Sequence, residues 1–261
     1  MSNMLNIEID MEYGLGGPTD VLLFLEAANV DGQIVKSPEL ILPPASHTAR
    51  IPGEDDIGER IWMQTNGPLQ VTYRTQVEVT REDADLSGLA SQPPHLMDAV
   101  TTRYLFASRF CPADEFQSFV NAEFGNLAGG ARIAAMRDWI QQAVSYVPGS
   151  SGPHTTAVQT FIERQGICRD FAHLMVTLSR ASGIPARMVS VYSPDVTPPD
   201  FHAVAQIWLE DGWHLVDATG MGSPSRTAIV GVGLDAAEIA FLTLYGNAVL
   251  NRQVVSVTAA G

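Results

Sequence analysis

Nine residues, Gly166-Ile167-Cys168-Arg169-Asp170-Phe171-Ala172-His173-Leu174, constrain this chain more than any other stretch. They place a cysteine directly after a glycine-led turn, at the first turn of a predicted helix. Phe171, Leu174, Met175 and Leu178 recur at spacings of three and four, the period of a helix with one apolar stripe. Gly183, with Pro185 two residues later, predicts its end. A thiol at a helix N-terminus meets unpaired backbone N–H groups and the positive end of the macrodipole, and both favour the nucleophilic thiolate. Taken alone, such a cysteine reads first as a buried structural thiol. Residues downstream in the chain change that reading.

A chain of 261 residues with 46% hydrophobic content can form one large domain or two smaller ones, each with a core. Its apolar runs, such as Val21 to Leu25, are far too short to span a bilayer. The start, Met1 to Glu8, has neither the basic nor the apolar part of a signal peptide, so a soluble cytoplasmic protein is expected. In that compartment Cys111 and Cys168 are expected to be free thiols. The net charge of −14 argues against nucleic acid and anionic membranes as partners, and is compatible with a basic or amine-bearing substrate. No residue cluster has zinc or calcium spacing and no glycine-rich phosphate loop precedes a helix, so neither metal nor cofactor is expected.

Residues 1–82 read as a small β domain. Leu5 to Met11 and Val71 to Val79 alternate apolar and polar residues with period two, and turn signals such as Gly16-Gly17-Pro18, Asp31-Gly32 and Asn66-Gly67-Pro68 lie between strands. Short strands at such spacing predict a sandwich or barrel. Residues 83–103, containing Gln92-Pro93-Pro94, read as a linker. Residues 104–261 read as a second domain, with helices expected over Asp114 to Val120, Arg132 to Val147 and Thr156 to Arg164 before the cysteine helix. Strands are then expected at Ala186 to Tyr192, His202 to Leu209 and Trp213 to Asp217, and Gln253 to Thr258 reads as a terminal strand. Helices succeeded by antiparallel strands make this an α+β domain.

A cysteine nucleophile needs a base, and the base needs an orienter on its other ring nitrogen. His202 begins one strand and Asp217 ends the next, and a hairpin with an odd register sum puts both on one face. A tight turn centred on Asp211-Gly212 would set Gln206 opposite Asp217. His202 would then lie four residues away, on the order of 13 Å at ~3.3 Å per residue. Contact therefore requires a longer, off-centre turn around Leu209 to Asp211 or a bulge, with a slip of two residues making the pair diagonal.

Together, the cysteine segment, Gly183-Ile184-Pro185-Ala186-Arg187, Phe201-His202-Ala203, Gly212-Trp213 and Asp217-Ala218-Thr219 resemble the transglutaminase-like superfamily. Tyr104 to Phe110 and Val144 to Gly149 are similar to segments that precede the core in bacterial members, and the first 80 residues to the β domain those members often carry. The resemblance implies a papain-like α+β core behind a small sandwich-like β domain. It implies a triad of Cys168 as nucleophile, His202 as general base and acid, and Asp217 as orienter. Val204 and Ala218 depart from the Trp and Pro that many relatives have there, which touches substrate-site detail and not the triad. An oxyanion hole would use the Cys168 backbone N–H and a second donor, for which Gln165 and Gln159 are candidates. His154, Trp208 and Trp213 are candidates for the substrate pocket. His173, about 140° around the helix from Cys168, reads as a packed core histidine. The implied activity is cleavage of a peptide or protein amide through a thioester. Hydrolysis is favoured, because water is always present and no amine-binding feature is visible. Acyl transfer to an amine is the alternative, and a catalytically silent binding module a third.

Overall fold

The computed structural model describes residues 3–210 and 212–260. Six strands open the chain: β1 (Asn3–Leu15), β2 (Thr19–Leu23), β3 (Gln33–Ile41), β4 (His47–Pro52), β5 (Glu59–Thr65) and β6 (Leu69–Val79). In β6 every other residue is buried, from Leu69 to Val79, so the period-two pattern has one face in the core. A helical region comes next: α1 (Ala99–Arg103), α2 (Gln117–Phe124), α3 (Gly129–Ala143), then β7 (Ser145–Tyr146), α4 (Ala157–Glu163), β8 (Gln165–Gly166) and α5 (Cys168–Ala181). The chain finishes with β9 (Ala186–Tyr192), β10 (His202–Leu209), β11 (Gly212–Val216), β12 (Ala228–Gly233), α6 (Ala236–Ile239), β13 (Leu242–Tyr245) and β14 (Ala248–Ala259). The α3 helix begins three residues before its expected start and ends at Ala143, because Ser145 and Tyr146 leave it to pair with Gln165 and Gly166.

Two four-stranded sheets, ordered β14-β1-β6-β3 and β13-β2-β5-β4, enclose one apolar core and form a β-sandwich. This corrects the expected division at 1–82 and 104–261. The last two strands belong to the sandwich: β14 lies antiparallel on β1, from Leu5↔Ala259 to Leu15↔Ala248, and β13 lies on β2. Without them β1 and β2 would present open edges to solvent. The pairing joins segments from opposite ends of the chain, which no local pattern reveals.

The third four-stranded sheet, β11-β10-β9-β12, packs on α5, and this layer carries the second core. That core begins at Leu86 and the sandwich core has no member between Val79 and Tyr192, so the chain passes from one to the other just after β6. The expected linker is structured, with Leu86 buried and α1 inside it. The sandwich closes over the back of the third sheet: Tyr192, Ala228 and Val230 belong to its core. Gln33 clamps the β12 edge through both its amide atoms, donating to Ile229 O (2.9 Å) and accepting from Ile229 N–H (2.7 Å). Gly231 is required by this docking, since a Cβ there would come within 1.9 Å of the Phe24 ring.

Candidate active site

Cys168 is the first residue of α5. Ile167 at the N-cap offers no side-chain oxygen, so Asp170 in the first turn accepts the Ile167 N–H instead (2.9 Å). Gly166 makes room for this carboxylate: a Cβ at 166 would lie 2.7 Å from Asp170 Cβ. Gly166 also pairs in parallel with Tyr146. That pairing carries Tyr146 to the cysteine, where its hydroxyl interacts with both the backbone N–H and the thiol of Cys168. Burial first, and the charge of Cys168 second, push the Tyr146 hydroxyl up to about 12.

His202 opens β10 and is almost fully buried. Its Nε2 lies 2.9 Å from Asp217 Oδ2. The register explains how they meet. The strands close at Leu209↔Gly212, with Ala205↔Val216, so Asp217 falls opposite Val204 and diagonal to His202. The expected lengthening of the turn is absent: two positions join the strands, displaced one residue towards the N-terminus, and Glu210 takes the left-handed region at φ 54°. Asp211, on which the expected tight turn was centred, lies outside the described residues. Leu215, and not Asp217, stands opposite Gln206.

Asp217 is itself held in place. Its Oδ1 accepts from the Thr219 N–H (2.8 Å) and hydroxyl (2.6 Å), and its Oδ2 also accepts from the Gly222 N–H (2.9 Å). Burial alone would raise its pKa, but the bond and charge of His202 and these donors outweigh it and keep the carboxyl below its ordinary value. Burial likewise opposes charge on His202. The hydrogen bond to Asp217 and the proximity of Cys168, with their charges, overcome it and raise the imidazole to about 10. With Nε2 on the carboxylate, Nδ1 is the ring atom left for the thiol. It is buried and has no hydrogen-bond partner.

Cys168 and His202 line one cavity of about 480 Å³, with Tyr146 in its wall. A larger cleft of about 700 Å³ reaches Asp217 from another side, but neither Cys168 nor His202 lines it. Among the described residues no group of three or more His, Cys, Asp or Glu is arranged to hold a metal ion, and no helix is long and apolar enough to cross a membrane.

The remaining candidates are elsewhere. Gln159 accepts the N–H of its own helix cap, Thr156 (2.8 Å), and Gln165 is exposed; neither lines the cavity. His154 is an exposed loop residue outside it. Trp208 is six residues along β10 from His202, roughly 20 Å at ~3.3 Å per residue. It donates to Gln92 Oε1 (2.8 Å) and packs edge-on against Trp213, which receives the Arg187 guanidinium on its face at 4.1 Å. For the glutamines and tryptophans the cause is shared: helix capping and sheet packing took up side chains whose chemistry alone suggested a site. His173 is a core residue, stacked on Phe110 and accepting from the Ala236 N–H (3.2 Å). Tyr146 was missed because a two-residue parallel pairing between distant segments leaves no periodic signal. Its one trace in the sequence was its place in a flanking segment of the resemblance.

Residues 120–218 match the core of the transglutaminase-like superfamily. The crystal structure of a candidate cysteine protease from Cytophaga hutchinsonii superposes with a TM-score of 0.91 at 28% identity, covering 100% of this chain and 92% of that one. An uncharacterized protein of Mycobacterium leprae is 30% identical over 118 residues, 42% of this chain and 42% of its own length. Another, of Mycobacterium bovis, is 30% identical over 110 residues, 36% and 35% of the two lengths. The matches thus span less than half the length of these curated relatives. The cysteine-led helix packed on an antiparallel sheet lies within residues 120–218, which match the transglutaminase-like core, and the Cytophaga structure shares the fold of the whole chain.

Proposed function

We propose that this protein is a cysteine-dependent enzyme that hydrolyses a peptide or protein amide through a thioester on Cys168. The observation that carries this reading is the 2.9 Å contact of His202 Nε2 with Asp217, which leaves Nδ1 as the acceptor for the thiol proton. Cys168 gives its proton to Nδ1 and its sulfur attacks the carbonyl carbon. The Cys168 N–H and the Tyr146 hydroxyl are the donors for the oxyanion. Collapse breaks the C–N bond, His202 protonates the departing amine, and a thioester remains. His202 then takes a proton from water, hydroxide adds to the thioester, and the acid and thiol are released. The Cytophaga relative's description as a candidate cysteine protease supports this choice. Two free thiols accord with the reducing cytoplasm as its compartment.

Iodoacetamide labelling at neutral pH tests the nucleophile. Cys168 is expected to react fast, and Cys111, sealed in the core with its thiol pushed up to about 11 by burial, to stay unmodified in the folded protein. Equal inertness of both thiols would end the reading and leave a silent module. Peptide digestion with and without a primary amine then separates the reactions, since amine-bearing products would make the enzyme a transglutaminase.

A further inference from the structure

The cavity at Cys168 is apolar on most sides. Met188 and Ile239 are buried and pack together with Ala172 beneath Ala203 and Ala236. Phe201 and Phe241 stack with ring centroids 3.9 Å apart at 5°, and Val196 lines the same space. At about 480 Å³ it lies within the roughly 300–1,000 Å³ of pockets that enclose small ligands.

Its charged groups are arranged asymmetrically. Arg169 is turned to the preceding loop: its Nη2 donates to Ser151 Oγ (2.5 Å) and Gly152 O (2.6 Å), and its Nε is enclosed without a partner. The carboxylate of Asp200 stands at the exposed rim, held by the Phe201 N–H (2.8 Å) and by Gln253 Nε2 (3.0 Å). Its influence reaches Tyr146, where after burial and Cys168 it adds to the rise in the hydroxyl pKa. An acidic side chain entering here would lose its water, meet the Asp200 carboxylate and find Arg169 already paired with Asp170 (3.5 Å) and held by the 151–152 loop. Phe241 and Leu242 lead into β13, and Gln253 belongs to β14, so strands of the sandwich complete this wall.

From this we infer that the substrate carries a bulky apolar side chain, aromatic or branched aliphatic, beside the scissile amide, that it seats between Phe241 and Met188, and that acidic side chains are excluded from the same place. This rests on the cysteine-enzyme reading above. Burial of one such side chain predicts a preference of roughly 10–100-fold over glycine.

Peptidyl acyloxymethyl ketones test it, because the Cys168 sulfur forms a thioether as the acyloxy carboxylate leaves, and no turnover is needed. Probes bear Phe, Gly or Glu on the residue carrying the ketone or on the one before it, and the full chain is used. At one of these positions Phe is expected to alkylate Cys168 roughly 10–100 times faster than Gly, with Glu slower than Gly. Phe241→Ala should bring the Phe-to-Gly ratio towards one. Ala240→Trp, which fills the cavity without removing a core side chain, should do the same even if Phe241→Ala does not fold. Equal rates for Phe and Gly at both positions, or a ratio that survives Ala240→Trp, would overturn the inference. Iodoacetamide on the unaltered protein tells the two failures apart. Labelling of Cys168 then leaves the cysteine enzyme standing without this specificity, and no labelling removes both.

Discussion

The sandwich and the cysteine-bearing layer each contain four-stranded antiparallel sheets, yet they treat polar residues in opposite ways. In β6 buried and accessible positions alternate along the strand, whereas in β9 and β12 every residue is buried. The sandwich keeps one face of each sheet in water, so its charges are solvated at little cost. The third sheet has α5 on one face and the sandwich on the other, so any polar side chain there must be paired inside the protein. Arg187 donates to Asp55 (2.6 Å) and to Gln206 (2.9 Å), and Arg180 to the carbonyls of Ala186 (2.8 Å) and Leu234 (2.7 Å). His202 and Asp217 are the third such set. Most polar groups in the expensive region have a partner, while Thr177 Oγ1 and His173 Nδ1 on α5 are buried without a hydrogen bond.

If that contrast is right, changes in the doubly covered layer should far exceed changes on the open faces. The largest effect is expected from Asp217→Ala, which removes the carboxylate that selects the His202 tautomer. The rate of Cys168 alkylation and any amide hydrolysis should fall by about 10³-fold or more, measured by labelling kinetics and peptide turnover. An unchanged labelling rate would reduce the site to a pair.

Next is Arg187→Met, which strands the Asp55 carboxylate beside Tyr104 and removes the cation from the Trp213 face. Breaking a buried ion pair by deleting one partner costs about 3–5 kcal/mol, and the shift in a urea midpoint reads it. A loss below about 1 kcal/mol would mean that water reaches this junction.

The two buried histidines give a pH signature of opposite sign. His202, at about 10, binds its proton more tightly folded than unfolded, where ~6.5 applies. Its contribution is complete below about pH 6.5 and is lost as pH rises through 10. His173 is held neutral by burial, down at about 3 against the pull of Asp235. There the unfolded chain binds the extra proton, so stability is complete above about pH 6.5 and is lost as pH falls towards 3. Denaturation midpoints from about pH 4 to about pH 10 should therefore decline at both ends, and Asp217→Asn should flatten the alkaline limb alone. An alkaline limb unchanged in that variant would remove His202 as its source.

The smallest effect belongs to the wet face of the sandwich. Gln70→Ala, at an exposed position of β6, should change stability by no more than about 0.5 kcal/mol. A larger loss would show that this face is covered in solution.

Much of this molecule could be read without coordinates. The alternation in β1 and β6, the helix led by Cys168, the strand opened by His202, the strand that ends just before Asp217 and the core role of His173 are all local patterns. Alternation, helical period and capping residues act over a few neighbours, so they survive in a linear text. The shared face of His202 and Asp217 was also legible, since every odd register sum preserves it. What the tertiary structure decided was non-local. The turn moved by one residue and made that pair diagonal, because strand closure at Leu209↔Gly212 is chosen jointly with the pairing of β10 on β9. Tyr146 reached Cys168 through a two-residue pairing with Gly166, and the sandwich recruited β13 and β14 from the far end of the chain. The two glutamines and the two tryptophans failed as site candidates because chemistry names what a side chain can do, while packing decides what it touches. Contacts between distant segments arise from the free energy of the whole fold, and no window of neighbouring residues contains it.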